Sequence, residues 1–143
     1  MASPRDYKNT IIPNWCPGCG DYGIQNAISA VCANIGWANE DITRISGIGC
    51  SSRIGGYQYC YGAHTTHGRA LPFAQGIKCA NKDTHMIVCS GDGDSYAIGL
   101  GHAMHAMKRK MDITYLVFDN QVYGLTKGQT SPASSHGIVT KTT

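Results

Sequence analysis

At 143 residues the chain fits one domain built on one core, a size that removes roughly two thirds of the unfolded surface from water. Its formal net charge of +3 comes from 12 basic and 9 acidic residues, scattered except for Lys108-Arg109-Lys110; this points away from nucleic acid, and its short apolar blocks fall below the roughly 20-residue run of a membrane helix. Seven cysteines, an odd number in a chain with few loops, argue against a secreted disulfide framework and for reduced thiols, and MASPRDYKNT lacks signal-peptide character, so a cytoplasmic location is expected.

In chain order the first feature is NWCPGCGD, residues 14–21, with Cys16 and Cys19 two residues apart behind Trp15. Spacing alone leaves a disulfide, a zinc or an iron-sulfur centre open. Nothing before Trp15 reads as the strand that precedes a thioredoxin-like pair, and no second close Cys or His pair follows at zinc spacing. From Ile24 the positions Ile24, Ala27, Ile28, Val31, Cys32 and Ile35 recur at helical offsets and predict one buried face, ended by Gly36. Residues 42–48 read as a strand ending in the glycine-rich GIGCSSRIGG, and the alternating Tyr57, Tyr59 and Tyr61 suit a strand edge or a subunit contact. Residues 72–80 predict a second helix with its proline in the first turn. Residues 86–90 are a short strand running into GDGDSYAIGLGHAMHAMKRK, where Ile98, Gly101, Met104 and Met107, beside Ala97, Leu100 and Ala103, mark a third helix whose basic last turn suits the negative dipole end. Residues 113–118 predict a continuous buried strand. No clear apolar run follows Phe118.

Strand, turn, helix, strand is the βαβ unit of a parallel sheet, so the class is α/β, a parallel sheet flanked by helices. Ligands of such sheets bind beyond the carboxyl ends of the strands, which puts GIGCSS, SGDGDS and DNQVYG on one edge. Gly91-Asp92-Gly93 opens a helix, so its amides are free for phosphate. Asp92 is badly placed for a bare anion unless a divalent cation lies between; magnesium takes one or two such oxygens, and the Asn120 amide and Val122 carbonyl at the next strand end are further ligands. By itself GDG is a common turn. The βαβ context and Asn120 convert it into a binding motif.

The segment GDGDSYAIGLGHAMHAMKRKMDITYLVFDNQVYGLTKGQTSP resembles the thiamine diphosphate motif, with Asp119 in place of the first asparagine of its pair. With WCPGCGDYGI, GIGCSSRIGGY and HTTHGRALPFAQGIKCAN it is similar, more narrowly, to the beta subunit of 2-oxoacid:ferredoxin oxidoreductases. The resemblance implies that Asp92, Asn120 and Val122 hold Mg2+, and that Gly91, Gly93, Asp94 and Tyr123, Gly124, Leu125 and Thr126 surround the diphosphate. It puts Cys50, Ser51, Ser52 and His67 close to the cofactor. It assigns Cys16, Cys19 and Cys50 to a 4Fe-4S cluster, residues 1–22 forming the cluster-binding segment of a domain spanning 1–143, incomplete at its C-terminus. Family chains run to about twice this length, so the fourth cysteine is expected beyond residue 143; Cys60 is the one substitute in this chain, Cys79 and Cys89 reading as core. The implied activity is coenzyme A-dependent oxidative decarboxylation of 2-oxoglutarate or a range of 2-oxoacids, with electrons passed to ferredoxin and an alpha subunit as partner. Arg53 suits bidentate capture of a substrate carboxylate, and His67 suits a contact to the diphosphate or substrate carbonyl; these two are the catalytic candidates. Arg69 and His64 are weaker ones, and His102 and His105 read as packing or surface. The competing reading is a thiol-disulfide or zinc-binding module in which GDG is only a turn.

Overall fold

The protein is described by a computed structural model over residues 2–141; Met1, Thr142 and Thr143, included in the 1–143 domain, lie outside the described residues. In chain order it comprises α1 (Gly20–Ile35), β1 (Ile42–Ser46), a 3-10 segment (Ser51–Tyr57), β2 (Tyr61–His64), α2 (Ala70–Ala80), β3 (His85–Gly91), a π-helical turn (Asp94–Ile98), α3 (Leu100–Arg109), β4 (Thr114–Phe118), and a hairpin of β5 (Val122–Tyr123) and β6 (Gln129–Thr130). The first four strands form a parallel sheet in the order β2-β1-β3-β4. From β1 the chain adds β2 on one side and β3 on the other. Their adjacent carboxyl ends therefore form the crevice where open α/β sheets bind ligands.

One face of the sheet packs Ile42, Ile87 and Cys89 against Ile28, Cys32 and Ala33 of α1, with Tyr7, Trp15, Ile54 and Tyr57 closing the cluster. The other packs Ile45, Met86 and Val88 against Leu71 and Ala74 of α2 and Ala103 of α3. The α/β class and parallel sheet expected from sequence are both present.

Several elements differ in detail. The buried face of α1 is Gln25, Ile28, Ser29, Cys32 and Ala33, while Ala27, Val31 and Ile35 are exposed. The polar pair turns inward because it has partners: Gln25 Nε2 donates to Tyr57 O (3.1 Å), Ser29 Oγ to Gln25 O (2.8 Å) and Gln58 Nε2 to Ser29 Oγ (3.2 Å). Hydropathy counts such residues as outward and so rotates the expected face. The strand over 113–118 is not continuously buried, because β4 has only β3 as a neighbour; Phe118 alone is buried. In α3 only Ala103 is buried, with Met104 and Met107 exposed. The tyrosine alternation leads into the edge strand β2, and β5 and β6 fold back where no apolar run was legible. No helix among the described residues is long and apolar enough to cross a membrane.

Candidate active site

The carboxyl ends of β1, β3 and β4 border a cleft of about 390 Å³, within the usual volume range of small-molecule and cofactor sites. The three segments expected on one edge meet there: Ile48 to Ser51 after β1, Gly91 to Asp94 after β3, and Phe118 to Asn120 with Val122 to Thr126 after β4. His67, Cys16, Cys19 and Asp21 complete the walls.

At the GDG turn Asp92 is 2% exposed, and its Oδ2 accepts a hydrogen bond from Ser131 Oγ. Ser131 follows β6, so the hairpin carries it back beneath the turn. At the end of β4 the backbone coils through two side-chain turns, Gln121 N donating to Asp119 Oδ1 (3.0 Å) and Val122 N to Asn120 Oδ1 (3.2 Å). A Cβ on Gly93 would lie 2.3 Å from the Tyr123 ring, so only glycine lets that ring rest on the turn. Tyr123 OH donates to Gly93 O (3.3 Å). Burial, then the Asp92 and Asp94 carboxylates, push the Tyr123 phenol up, which keeps it a donor.

Asp94 is equally buried, at 2% exposed. Its Oδ1 accepts from Ile48 N (3.2 Å), Gly68 N (2.7 Å) and His67 Nδ1 (2.5 Å), and its Oδ2 accepts from Ser90 Oγ. His67 keeps a half-exposed ring on the cleft, edge-on to Tyr123 at 6.2 Å.

The cysteine wall is anchored by Trp15, whose Nε1 donates to Cys50 O (2.7 Å) and whose ring meets Tyr22 and Tyr57 edge-on at 5.2 and 5.0 Å. The Pro-Gly gap closes a turn in which Cys19 N donates to Cys16 O (3.0 Å) and Gly18 adopts φ 78°, the left-handed region glycine tolerates. Cys19 stands at the amino-terminal cap of α1. Burial pushes the Cys50 thiol up, and the nearby Asp21, Cys19 and Cys16 push it further. Burial likewise raises the Asp21 carboxyl, against a hydrogen bond with Cys19. All seven cysteines are free thiols. Among the described residues no three His, Cys, Asp or Glu side chains stand close enough to hold one metal ion. That gives a zinc site no support; a 4Fe-4S cluster, whose cysteines bind separate irons, does not require such closeness.

Some candidates lie elsewhere. Ser52 is fully buried, off the cleft, and its Oγ has no hydrogen-bond partner among the described residues. Arg53 donates to Asn14 Oδ1 and does not line the cleft. Arg69 donates to His102, and His64 pairs with Ser46 Oγ (3.0 Å) outside the cleft. Conversely, Ser131, Ser90 and Asp21 escaped the sequence reading. The clue for Asp21 was its place directly behind the cysteine pair; for Ser131 it was its place in the closing GQTSP of the segment that resembles the thiamine diphosphate motif.

The description "Thiamine pyrophosphate enzyme, C-terminal TPP binding domain" matches residues 47–142. The chain belongs to the thiamine pyrophosphate enzyme family, among the beta subunits of 2-oxoacid:ferredoxin oxidoreductases. It is 48% identical over 97% of its length to 2-oxoglutarate oxidoreductase subunit KorB of Mycobacterium tuberculosis, spanning 37% of that protein. It is 46% identical over 95% of its length to 2-oxoacid:ferredoxin oxidoreductase 2, subunit beta, of Aeropyrum pernix, spanning 44% of it. A solved 2-oxoglutarate:ferredoxin oxidoreductase from Magnetococcus marinus, with 2-oxoglutarate, coenzyme A and succinyl-CoA bound, superposes with a TM-score of 0.96 at 45% identity, over 99% of this chain and 49% of the other. The chain thus spans half or less of the length of these three proteins.

Proposed function

We propose that the cleft is the thiamine diphosphate half-site of a 2-oxoacid:ferredoxin oxidoreductase, which decarboxylates 2-oxoglutarate or related 2-oxoacids with coenzyme A as acyl acceptor and ferredoxin as electron acceptor. The observation that carries this reading is one cleft bordered by the GDG turn, by Asn120 at the neighbouring strand end and by three free cysteines. An alpha subunit completes the site, and the enzyme works in the cytoplasm.

The residues fit the groups proposed. Asp92 offers Oδ1, which takes no hydrogen bond among the described residues, beside amides at the start of a helical turn; a carboxylate against a diphosphate is favourable only across a cation, and we assign Mg2+ to Asp92, Asn120 and the Val122 carbonyl. A diphosphate would lie against the backbone amides of the turn at Gly91 and Gly93, where the Tyr123 ring already covers the side-chain-free face of Gly93, with Tyr123 to Thr126 as its outer wall. Cys16, Cys19 and Cys50 suit three corners of a 4Fe-4S cluster, which when bound passes electrons singly. When bound, thiamine diphosphate supplies the electron sink for the carbanion left by carbon dioxide.

The work of this chain is placement. Ser131 keeps Asp92 turned toward the cation, the paired side-chain turns of Asp119 and Asn120 aim the Val122 segment, and His67 presents its free ring nitrogen to the occupant. Trp15 and Tyr22 hold the cysteine segment beside the cleft and so shorten the path for electrons leaving it. The test is the enzyme assembled with its alpha partner and prepared without oxygen. Iron, acid-labile sulfide and 2-oxoacid-dependent reduction of a ferredoxin are expected together. A colourless assembly without iron contradicts the proposal.

A further inference from the structure

We infer that Asp94 is a positioning residue: it holds His67 by Nδ1, so that Nε2 is the nitrogen offered to the occupant of the cleft, and it does not itself touch the diphosphate. This rests on the thiamine diphosphate reading of the cleft and departs from the family pattern that groups Asp94 with the diphosphate-binding residues.

The first argument is saturation. Oδ1 already receives Ile48 N, Gly68 N and His67 Nδ1, and Oδ2 receives Ser90 Oγ. A carboxylate so occupied, with a side chain 1% exposed, has nothing left for a cation and would meet a diphosphate only as a like charge. The second argument is steric. A Cβ on Gly47 would lie 1.7 Å from Asp94 Oδ2, one on Gly99 2.4 Å from Asp94 O, and one on Gly68 2.6 Å from Ile98 Cγ2, with Gly68 at φ 71°. Three segments thus give up side chains to admit this carboxylate and the loop bearing His67, and the π-helical turn starting at Asp94 widens the helix there.

The third argument concerns the choice of partner. Backbone amides and Ser90 would have sufficed to tie the strand ends together, yet Oδ1 also accepts from an imidazole that faces the cleft. A carboxylate accepting the Nδ1 hydrogen fixes the ring's tautomer and orientation and polarises the ring toward its other nitrogen. The Nε2 lone pair is then the one offered to the occupant.

Asp94→Asn removes the negative charge that faces His67 Nδ1 and little else, because the amide oxygen can still accept from Ile48 N, Gly68 N and His67 Nδ1 while its NH2 donates to Ser90 Oγ. In the assembled enzyme we expect kcat to fall about 10- to 100-fold, with the thiamine diphosphate Kd within about threefold of wild type. In a His67→Ala background the same substitution should cost less than about twofold more. An equal loss in both backgrounds, or a Kd weakened more than about tenfold with kcat intact, overturns the inference. A cofactor-free arm keeps it separate from the functional reading: carbethoxylation of His67 by diethyl pyrocarbonate, followed by peptide mass spectrometry, should slow about threefold or more in Asp94→Asn. An unchanged rate overturns the inference; a slowed rate in an enzyme without thiamine dependence sinks only the proposed function. If Asp94→Asn does not assemble, Ser90→Ala should lower kcat about threefold in the wild-type background and not in His67→Ala, and no difference between backgrounds overturns it.

Discussion

At the GDG end of the cleft, three of the four carboxylate oxygens of Asp92 and Asp94 are already held by this chain. At the cysteine end the backbone is fixed through Trp15 and the Gly18 turn, but all three thiols are free, and Cys16 is exposed. The contrast teaches that the two ends reach order differently. The GDG end is pre-organised by polar contacts within the protein, whereas the cysteine end has a set backbone and three thiols that form no disulfide.

The largest effect that would break this contrast lies at the cysteine end. Cys50→Ser in the assembled enzyme should remove most of the iron and lower 2-oxoacid-dependent ferredoxin reduction about 100-fold or more, since loss of a ligand exceeds loss of an outer-shell partner. Retained iron would mean that Cys50 is not a ligand. Next comes Ser131→Ala, which frees Asp92 Oδ2 and should weaken Mg2+-dependent thiamine diphosphate binding about tenfold while leaving iron content unchanged; calorimetric titration measures the first and iron analysis the second.

A smaller effect sharpens the pre-organisation claim. Gly47→Ala would put a Cβ 1.7 Å from Asp94 Oδ2 and should destabilise the fold by about 1–3 kcal/mol in denaturant titration, as overpacked sites do. Gly56→Ala, with nothing within 4 Å of its added Cβ, is the control and should stay within about 0.5 kcal/mol.

The last effect is alkaline. Burial pushes the Cys89 thiol from 9.0 up to about 12, against the pull of Arg44. A pKa higher in the folded than in the unfolded chain gives stability that is whole below pH 9 and is lost as pH rises from there through about 12. Cys89→Ala should flatten the fall in unfolding free energy across that window; an unchanged slope would assign the fall to other groups.

The motifs and the sheet were legible because they depend on local chemistry. Glycines flanking Asp92 imply a turn, and a turn follows β3 there. What was illegible depends on partners distant in sequence. Gln25 and Ser29 turn inward only because Gln58 and the Tyr57 carbonyl are there to meet them. Asp94 is two positions from Asp92 and chemically identical, yet it points into the protein because the β1 end and the loop before α2 supply its donors. Ser131 reaches Asp92 through a hairpin of two-residue strands, too short to leave a periodic signal. Met104 and Met107 fit a helical stripe, and this chain leaves that stripe uncovered.

The most direct measurement is a titration of thiamine diphosphate into the assembled enzyme stripped of divalent cations, with and without Mg2+, for wild type and Asp92→Ala. Mg2+ should tighten binding by about tenfold or more in the wild type and leave the variant unchanged. The same Mg2+ dependence in both, or none in the wild type, would contradict the assignment of the cation to the GDG turn.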